Sequence, residues 1–193
     1  MARTPTRKSP TRTRRRVVRK PRVQKNLNDI RTDSSPKHMA SVSNVTVHFD
    51  HIGTQLKALL ETVPFVCVAC CWVTSSVILK ALKDREGVAM VISKSKMAKY
   101  ATPYYKALTP LDDKRGAVRL LGSERKGQQL MHEKFCVGLD ANKTPLWVAY
   151  GSYNYSASGM RNLENLVVAK DVAFAHIFKN EFDLLWKKSR KFI

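Results

Sequence analysis

Acidic residues are scarce in this chain. Its 193 residues include 15 Asp and Glu against 35 Lys and Arg, so the formal net charge is +20. The excess is uneven, because residues 1–37 carry 13 basic and two acidic side chains, a net charge of +11 that leaves +9 for the rest. No acid precedes Asp29. Both parts are basic, which points to a polyanionic partner.

A long apolar run is also missing. The strongly apolar stretch at residues 64–79 is interrupted by Thr74, Ser75 and Ser76. It falls short of the ~20 apolar residues that a membrane-spanning helix requires, which excludes a transmembrane segment there. No secretory signal is visible either. We interpret the stretch as a central strand that leads into a helix.

Cysteine is used only four times. Without a signal peptide, this number predicts a reducing compartment and no disulfide framework. Zinc is a first interpretation of Cys67, Cys70, Cys71 and Cys136. In a strand, however, Cys67 and Cys71 would face one side and Cys70 the other, which is poor tetrahedral geometry. We therefore interpret the cysteines as small core residues, and we expect neither a metal requirement nor a cofactor.

Residues 1–44 predict a basic tail that is disordered when free. Three prolines interrupt its first 26 residues, which contain few apolar residues and show no helical periodicity. A segment this rich in arginine, as at Arg14, Arg15 and Arg16, is typical of contacts with nucleic acid or anionic lipid. Two other interpretations stay open. One is a solubilising tail, and the other is a mitochondrial transit peptide, whose amphipathic helix the prolines disfavour.

Residues 45–193 predict one α/β domain, a sandwich with a mixed central sheet flanked by helices. Apolar spacing predicts helices over residues 52–63, from caps at 74–76 to 82, over 100–108 with an interruption near Pro103, and from Asp171 onwards. Strands are predicted over residues 65–72, 88–93, 117–121, 131–137, 146–150 and 166–169. The residues expected on the inner face of the last helix are Phe174, Phe178, Phe182, Leu185 and Trp186.

One short stretch concentrates residues that suit phosphoryl chemistry. His132 and Lys134 alternate with apolar residues in MHEKFCV, so in a strand they would project from the same side. Ser152 and Asn154 are also two apart and follow the apolar run that ends at Tyr150, which predicts a second strand delivering donors to that face.

The residue types define a chemical role for this stretch. Imidazole attacks phosphorus through a covalent intermediate when a third group orients the ring, and Glu164 is the candidate for that group. The ammonium of Lys134, the amide of Asn154 and the hydroxyl of Ser152 are donors that meet phosphoryl oxygens without a metal.

These residues resemble the signature of the phospholipase D superfamily, which pairs HxK with downstream GSxN and NxEN elements. They stand here at residues 132–134, 151–154 and 162–165, and the resemblance extends over residues 45–186. It implies a phospholipase D-like sandwich. The roles that it implies are His132 as nucleophile, Lys134 and Asn154 as phosphate ligands, Ser152 as a supporting donor and Glu164 as the partner of the imidazole.

The chain departs from the family pattern in two ways. The family places an aspartate seven residues after the histidine, where this chain has Leu139, and the acid follows at Asp140. A β-bulge at Gly138 would absorb the extra residue, since glycine tolerates a positive φ. The chain also has one HxK motif, whereas the family normally uses two per site. It resembles single-motif members that build the site across a homodimer two-fold, with His132 as nucleophile in one subunit and general acid in the other.

The expected function is that of a metal-independent phosphodiesterase. The favoured hypothesis is a nucleic-acid endonuclease that works through a phosphohistidine intermediate. Two alternatives stay open: a lipid phosphodiesterase on anionic membranes, and a non-catalytic nucleic-acid-binding or packaging protein with the same fold. The residues expected to steer a phosphate backbone into the cleft are Lys94, Lys96, Lys99, Arg125 and Lys126.

The remaining histidines and the location complete the expectations. We interpret His38, His48, His51 and His176 as structural or solvated, because they lack a phosphate-binding neighbourhood. The expected location is an intracellular compartment that holds nucleic acid, namely nucleus, nucleoid or virion, with the mitochondrion as the alternative.

Overall fold

The computed structural model describes residues 39–112 and 114–192, with the side chains of the first four left out. Residues 1–38 of the predicted tail, including Arg14, Arg15, Arg16 and His38, lie outside the described residues. The strands are β1 (Met39–Val42), β2 (Val45–His48), β3 (Phe65–Cys70), β4 (Gly87–Lys94), β5 (Val118–Ser123), β6 (Lys134–Leu139), β7 (Pro145–Tyr150), β8 (Leu166–Ala169) and β9 (Arg190–Lys191). The helices are α1 (Ile52–Leu60), α2 (Ser76–Lys83), α3 (Lys96–Tyr100), α4 (Thr102–Lys106) and α5 (Val172–Lys188), with a 3-10 turn at Gly159–Arg161.

The strands form one mixed sheet in the order β1-β2-β8-β7-β6-β3-β4-β5-β9. β3, β4 and β5 run parallel to one another, and every other pairing is antiparallel. Parallel neighbours need a crossover, and α2 provides it between β3 and β4. The prediction of an α/β sandwich with a mixed sheet flanked by helices is confirmed.

The sheet is covered on both faces. On one face, Leu56 and Leu60 of α1 and Leu79 of α2 are buried in a cluster with alternate residues of β3 and β4. On the other face, Phe182 and Trp186 of α5 are buried against the remaining alternate residues. Because β3 and β4 lie between two apolar layers, their sequences are apolar at almost every position. Burial on both faces explains why the stretch at residues 64–79 is so apolar without being a transmembrane helix.

No helix in the described part of the chain is long and apolar enough to cross a membrane. Over residues 52–188 the helices and strands follow the predicted order, but β1, β2 and β9 were not predicted as strands. The sheet begins at Met39, ahead of the expected boundary at Val45. The helix expected over residues 100–108 is two helices, α3 and α4, and Pro103 occupies the first turn of α4 rather than interrupting a helix. Proline lacks an amide hydrogen. It is tolerated in the first turn because the amide hydrogens there have no hydrogen-bond partner within the helix.

The bulge expected at Gly138 in β6 is wrong, because the hairpin between β6 and β7 has its bulge in β7. Gly138 pairs with Trp147 and Leu139 pairs with Pro145, so the unpaired residue is Leu146 of β7. Gly138 is not in the left-handed region, which corrects the expected reason for this glycine. A Cβ at Gly138 would overlap the indole ring of Trp147, so the glycine makes room for the ring across the strand pair.

Gly138→Ala is therefore expected to lower the free energy of unfolding by about 1–3 kcal/mol, the usual cost of overpacking a core. Urea unfolding of the parent and the variant measures the difference. The same substitution in a Trp147→Leu background should cost less, because the smaller side chain leaves space. An equal cost in both backgrounds would contradict the steric explanation.

Candidate active site

Several strands end or begin at one edge of the sheet. The parallel strands β3 and β4 end there at Cys70 and Lys94. β6 is antiparallel to β3 and begins there with Lys134, which pairs with Cys70. β7 ends there at Tyr150, beside the start of β8. We call this the site edge, because the candidate functional residues lie in the segments that leave or enter it.

A chain of contacts joins Lys134 to Asn154 at the site edge. Nζ of Lys134 donates to the carbonyl of His132 at 2.7 Å and lies 3.7 Å from Sγ of Cys71. Sγ of Cys71 donates to Oδ1 of Asn154 at 2.9 Å. The backbone amide of Cys71 donates to the carbonyl of Glu133 at 3.1 Å, which holds this cysteine beside the motif. The structure thus brings the two predicted phosphate ligands together around a thiol.

The protonation of Cys71 determines which way the amide of Asn154 faces. Burial raises the pKa of the Cys71 thiol, and the ammonium of Lys134 offsets part of that increase. The thiol therefore remains protonated at neutral pH and donates to the amide oxygen. The Nδ2 group of Asn154 makes no hydrogen bond with the described residues, which leaves both of its protons for a phosphoryl oxygen.

Ser152 lies in the loop after β7 and is fastened to the segment before β8. Its amide donates to Oδ1 of Asn165 at 3.1 Å, and its Oγ accepts from the amide of Asn165 at 3.0 Å. The hydroxyl proton of Ser152 remains able to donate to a ligand. Gly151 has a φ of 153°, and a Cβ there would meet Asn165, so a glycine allows the two segments to approach.

His132 precedes β6 instead of lying within it, as does the exposed Glu133, so the alternation expected for a strand over residues 131–137 begins only at Lys134. The imidazole is exposed, and its ring meets Trp72 edge to face with centroids 6.1 Å apart. Within the described part of the chain, the ring makes no hydrogen bond. The candidate nucleophile is therefore accessible. Its ring contacts Trp72, and its backbone carbonyl accepts a hydrogen bond from Lys134.

Glu164 is not in hydrogen-bond contact with His132 among the described residues. Its Oε1 accepts from Nδ2 of Asn162 at 3.5 Å, and its side chain is half-buried. Burial raises the pKa of Tyr153, and Cys70 and the carboxylate of Glu164 raise it further. The role of Glu164 as the partner of the imidazole stays a prediction.

Four of the five predicted backbone-steering residues flank the end of β4 and the turn after β5. Lys94 pairs with Ser123, and the carboxylate of Glu124 accepts from the amide of Lys96 at 2.7 Å. Arg125 and Lys126 follow directly and are exposed. Lys99 lies further along α3 and is also exposed. The β4 and β5 ends thus gather positive charge beside the motif.

The side chains of the other cysteines and histidines make no hydrogen bond to the motif side chains among the described residues. Burial raises the pKa of Cys67, Cys70 and Cys136 to about 12, as expected for core thiols. Burial also lowers the pKa of His48, against the opposing effect of Asp50. His51 is exposed in the turn before α1, and His176 is exposed on α5. Within residues 39–112 and 114–192, no three His, Cys, Asp or Glu side chains are grouped so that they could hold a metal ion.

The sequence interpretation missed three contributors. Cys71 was assigned to the core, but it contacts both Lys134 and Asn154. Trp72 was given no role, although it contacts His132. Asn165 was quoted only as part of the NxEN element. Its position beside a motif was a signal for its role, whereas nothing near Cys71 or Trp72 in sequence indicates their contacts.

The mixed sheet with helices on both faces and a polar cluster at one edge defines an α/β sandwich of the phospholipase D type. A family model described as "Cardiolipin synthase, PLD-like domain" matches residues 66–186, well over half of the chain. The chain belongs to this phospholipase D-like domain family.

Solved structures that share the fold include the following two. Nuc from Salmonella typhimurium, a phospholipase D family member, is 19% identical with a TM-score of 0.60, over 77% of this chain and 97% of its own. NucT from Helicobacter pylori is 19% identical with a TM-score of 0.57, over 72% of this chain and 89% of its own. At these identities the likeness establishes the fold alone. No curated protein matches the chain.

Proposed function

We propose that this chain is a phosphodiesterase that cleaves nucleic acid through a covalent intermediate on His132, in a site completed by a second copy of the chain. The observation that carries the proposal is the contact chain from His132 through Lys134 and Cys71 to Asn154. It combines an exposed imidazole with an ammonium and an amide whose protons are available to a phosphate. The net charge of +20 favours nucleic acid as the source of that phosphate.

The first step forms a bond between an imidazole nitrogen of His132 and phosphorus. The bond from phosphorus to the leaving oxygen breaks, and that oxygen takes a proton from the matching histidine of the second copy, acting as general acid. The phosphoryl oxygens gain negative charge on the way. Lys134 and Nδ2 of Asn154 stabilise this charge, and the hydroxyl of Ser152 adds a third donor.

The second step returns the enzyme to its starting state. Water attacks phosphorus while the second histidine, now neutral, accepts a proton from it. The bond between phosphorus and His132 breaks, and the imidazole leaves. The second copy enters this scheme because one chain carries a single HxK motif, and a two-fold interface supplies the same residue twice.

Hydrolysis in the presence of a chelator tests the proposal. Purified protein is incubated with EDTA and labelled single-stranded and duplex oligonucleotides of DNA and RNA, and, separately, with vesicles of anionic phospholipid. We expect cleavage of nucleic acid and a phosphate adduct at His132 after rapid quenching, detected by mass spectrometry under neutral conditions. Loss of cleavage with the chelator contradicts the metal-independent scheme.

The second copy is tested by sedimentation at the concentrations used for the activity measurement. We expect a dimer wherever the protein is active, with activity falling on dilution as the dimer dissociates. A fully active monomer would overturn the shared site while leaving His132 as the nucleophile.

Cys71→Ala is expected to lower kcat/KM by about tenfold, because the half-buried amide oxygen of Asn154 loses its donor. An acceptor left unpaired there costs about 1–1.5 kcal/mol, the lower part of the usual range. Cys71→Ser keeps a donor in the same place and should retain activity within about threefold. Steady-state kinetics on a labelled oligonucleotide measures both variants.

Cys67→Ala is the matched control for this prediction, because it truncates a buried cysteine whose side chain packs on the α5 side of the sheet. It should leave kcat/KM unchanged. A similar decrease in Cys67→Ala and Cys71→Ala would show a loss of stability instead of a positioning role for Cys71.

The second candidate is the phosphodiester of a phospholipid. The description of the matching family names cardiolipin synthase, and Met160 and Leu163 are exposed apolar residues in the segment between Asn154 and Glu164. Cleavage of the vesicles with no cleavage of any oligonucleotide would select this candidate.

A further inference from the structure

The segment formed by α3 and α4 has an apolar face that the rest of the described chain does not cover. Exposed fractions are 53% for Met97, 78% for Tyr100 and 39% for Tyr104. Neither tyrosine ring makes an aromatic contact among the described residues. Large apolar side chains at one place on a surface mark a binding site more often than a chance exposure.

The side chains of α3 and α4 follow one helical repeat. Ala101 lies between α3 and α4 with near-helical φ and ψ of −86° and −2°, and its carbonyl accepts from the amide of Tyr105 at 3.1 Å. The helical spacing therefore continues across both helices. Its buried stripe consists of Ala98, Ala101, Tyr105 and Leu108.

A second stripe lies beside the buried one, and a third lies on the side of the helix opposite to it. Met97, Tyr100 and Tyr104 are each one residue before a buried position, so they form a neighbouring stripe that faces out. One residue further back, Lys96 and Lys99 form a basic stripe, and both are exposed. We call the apolar and basic stripes together the tyrosine face. No Asp or Glu occurs in residues 94–111, so its charge is not neutralised within the segment.

The tyrosine face is attached to the candidate active site at two points. The hydroxyl of Tyr105 donates to the carbonyl of Val73 at 2.6 Å, in the loop that also carries Trp72 against His132. At the other end, α3 begins directly after β4, which ends at the site edge. The segment that carries the tyrosine face therefore starts at the same end of the sheet as the candidate active site.

We infer that the tyrosine face binds the unpaired bases of single-stranded nucleic acid, with Tyr100 and Tyr104 stacking on bases and Lys96 and Lys99 contacting the phosphates. The inference rests on the proposed function and specifies its substrate as a single strand. Aromatic rings stack on any base, and interleaved lysines follow the backbone. In a duplex the base faces are already stacked on one another, so two exposed tyrosines have nothing to stack on.

Binding is measured in a His132→Ala background, so that cleavage does not interfere. Fluorescence anisotropy compares single-stranded and duplex oligonucleotides of one sequence, as DNA and as RNA, at fixed salt. Tyr100→Ala with Tyr104→Ala should weaken single-strand binding by about tenfold or more, since a stacked base contributes about 1–3 kcal/mol. Duplex binding should change by less than about twofold. Tyr100→Phe with Tyr104→Phe should bind single strands like the parent.

The matched control truncates two large exposed residues of α5, Ile177→Ala with Leu184→Ala, which are 62% and 54% exposed. These should leave both affinities unchanged. Unchanged single-strand affinity in the Tyr100 and Tyr104 double variant overturns the inference, and so does an equal loss for duplex. A loss of dimer in sedimentation, or a loss of binding to anionic vesicles alone, would assign the face to a second copy or to a membrane and would likewise overturn it.

Cleavage by the parent separates this inference from the proposed function. If the parent cleaves oligonucleotides and the double variant keeps its single-strand affinity, only the tyrosine face has been misassigned. If the double variant loses single-strand affinity and the parent cleaves nothing, the base-binding face stands and the proposed hydrolysis fails.

Discussion

His132→Ala is expected to abolish hydrolysis, with kcat lowered by about 10⁴-fold or more, while affinity for nucleic acid stays within about threefold of the parent. Removing a nucleophile leaves only binding and charge stabilisation to act on the substrate, and neither forms the covalent intermediate. Affinity is retained because the imidazole is one group among many basic side chains that contact the phosphates. Single-turnover cleavage and anisotropy on the same oligonucleotide measure the two quantities.

His176→Ala is the control, because it removes an imidazole that is also exposed but lies on α5, away from the site edge. It should match the parent in both measurements. Equal hydrolysis by His132→Ala and the parent would reject the catalytic assignment. A parallel loss of affinity and kcat would instead indicate that His132 contributes to binding.

Affinity for nucleic acid is expected to fall about 10³–10⁵-fold between 50 and 200 mM salt, if the protein contacts 6–10 phosphates. Each contact displaces condensed counterions, so binding weakens as salt rises. A net charge of +20, of which residues 1–37 supply +11, makes this range reasonable. Titrations at five or more salt concentrations give the slope of log affinity against log salt.

The contribution of the tail is tested by replacing Arg14, Arg15 and Arg16 with glutamine. The magnitude of the slope should decrease by about 2–3, since each lost phosphate contact removes about 0.7–0.9. Replacing three exposed lysines outside the motif segments, Lys80, Lys83 and Lys188, removes the same charge and should change the slope by less than one. Equal decreases in the two variants would show that total charge, and no specific tail contact, determines the salt dependence.

The chemistry of the candidate site could be anticipated because its residues come from short motifs. Lys134 follows His132 by two residues, and Ser152 precedes Asn154 by two, so each pair leaves the same strand end wherever that strand lies in the sheet. The predicted ends of the strands were less accurate. His132 precedes β6, since pairing with β3 begins only at Lys134, and pairing depends on a neighbour that periodicity does not show.

The bulge was predicted on the wrong strand. The spacing difference in the motif indicated an extra residue in β6, whereas the residues of β6 are all paired and the unpaired residue is Leu146 of β7. The sequence could not show this, because strand register depends on a partner strand that motif spacing does not describe. Gly138 instead provides space for the ring of Trp147 across the strand pair, a requirement that arises only when both strands are present.

Local patterns were sufficient for the order of helices and strands over residues 52–188 and for the types of group at the site, because burial periodicity and motif spacing extend over a few residues. They did not predict β1, β2 and β9, which are only two to four residues long and lie at the two sides of the sheet. The contact between Cys71 and Asn154 joins residues 83 positions apart. Folding alone creates it, since β3 and β7 must both end beside β6 before a thiol expected in the core can meet the amide. The same long-range packing turns one stripe of α3 and α4 inward and leaves the tyrosines exposed.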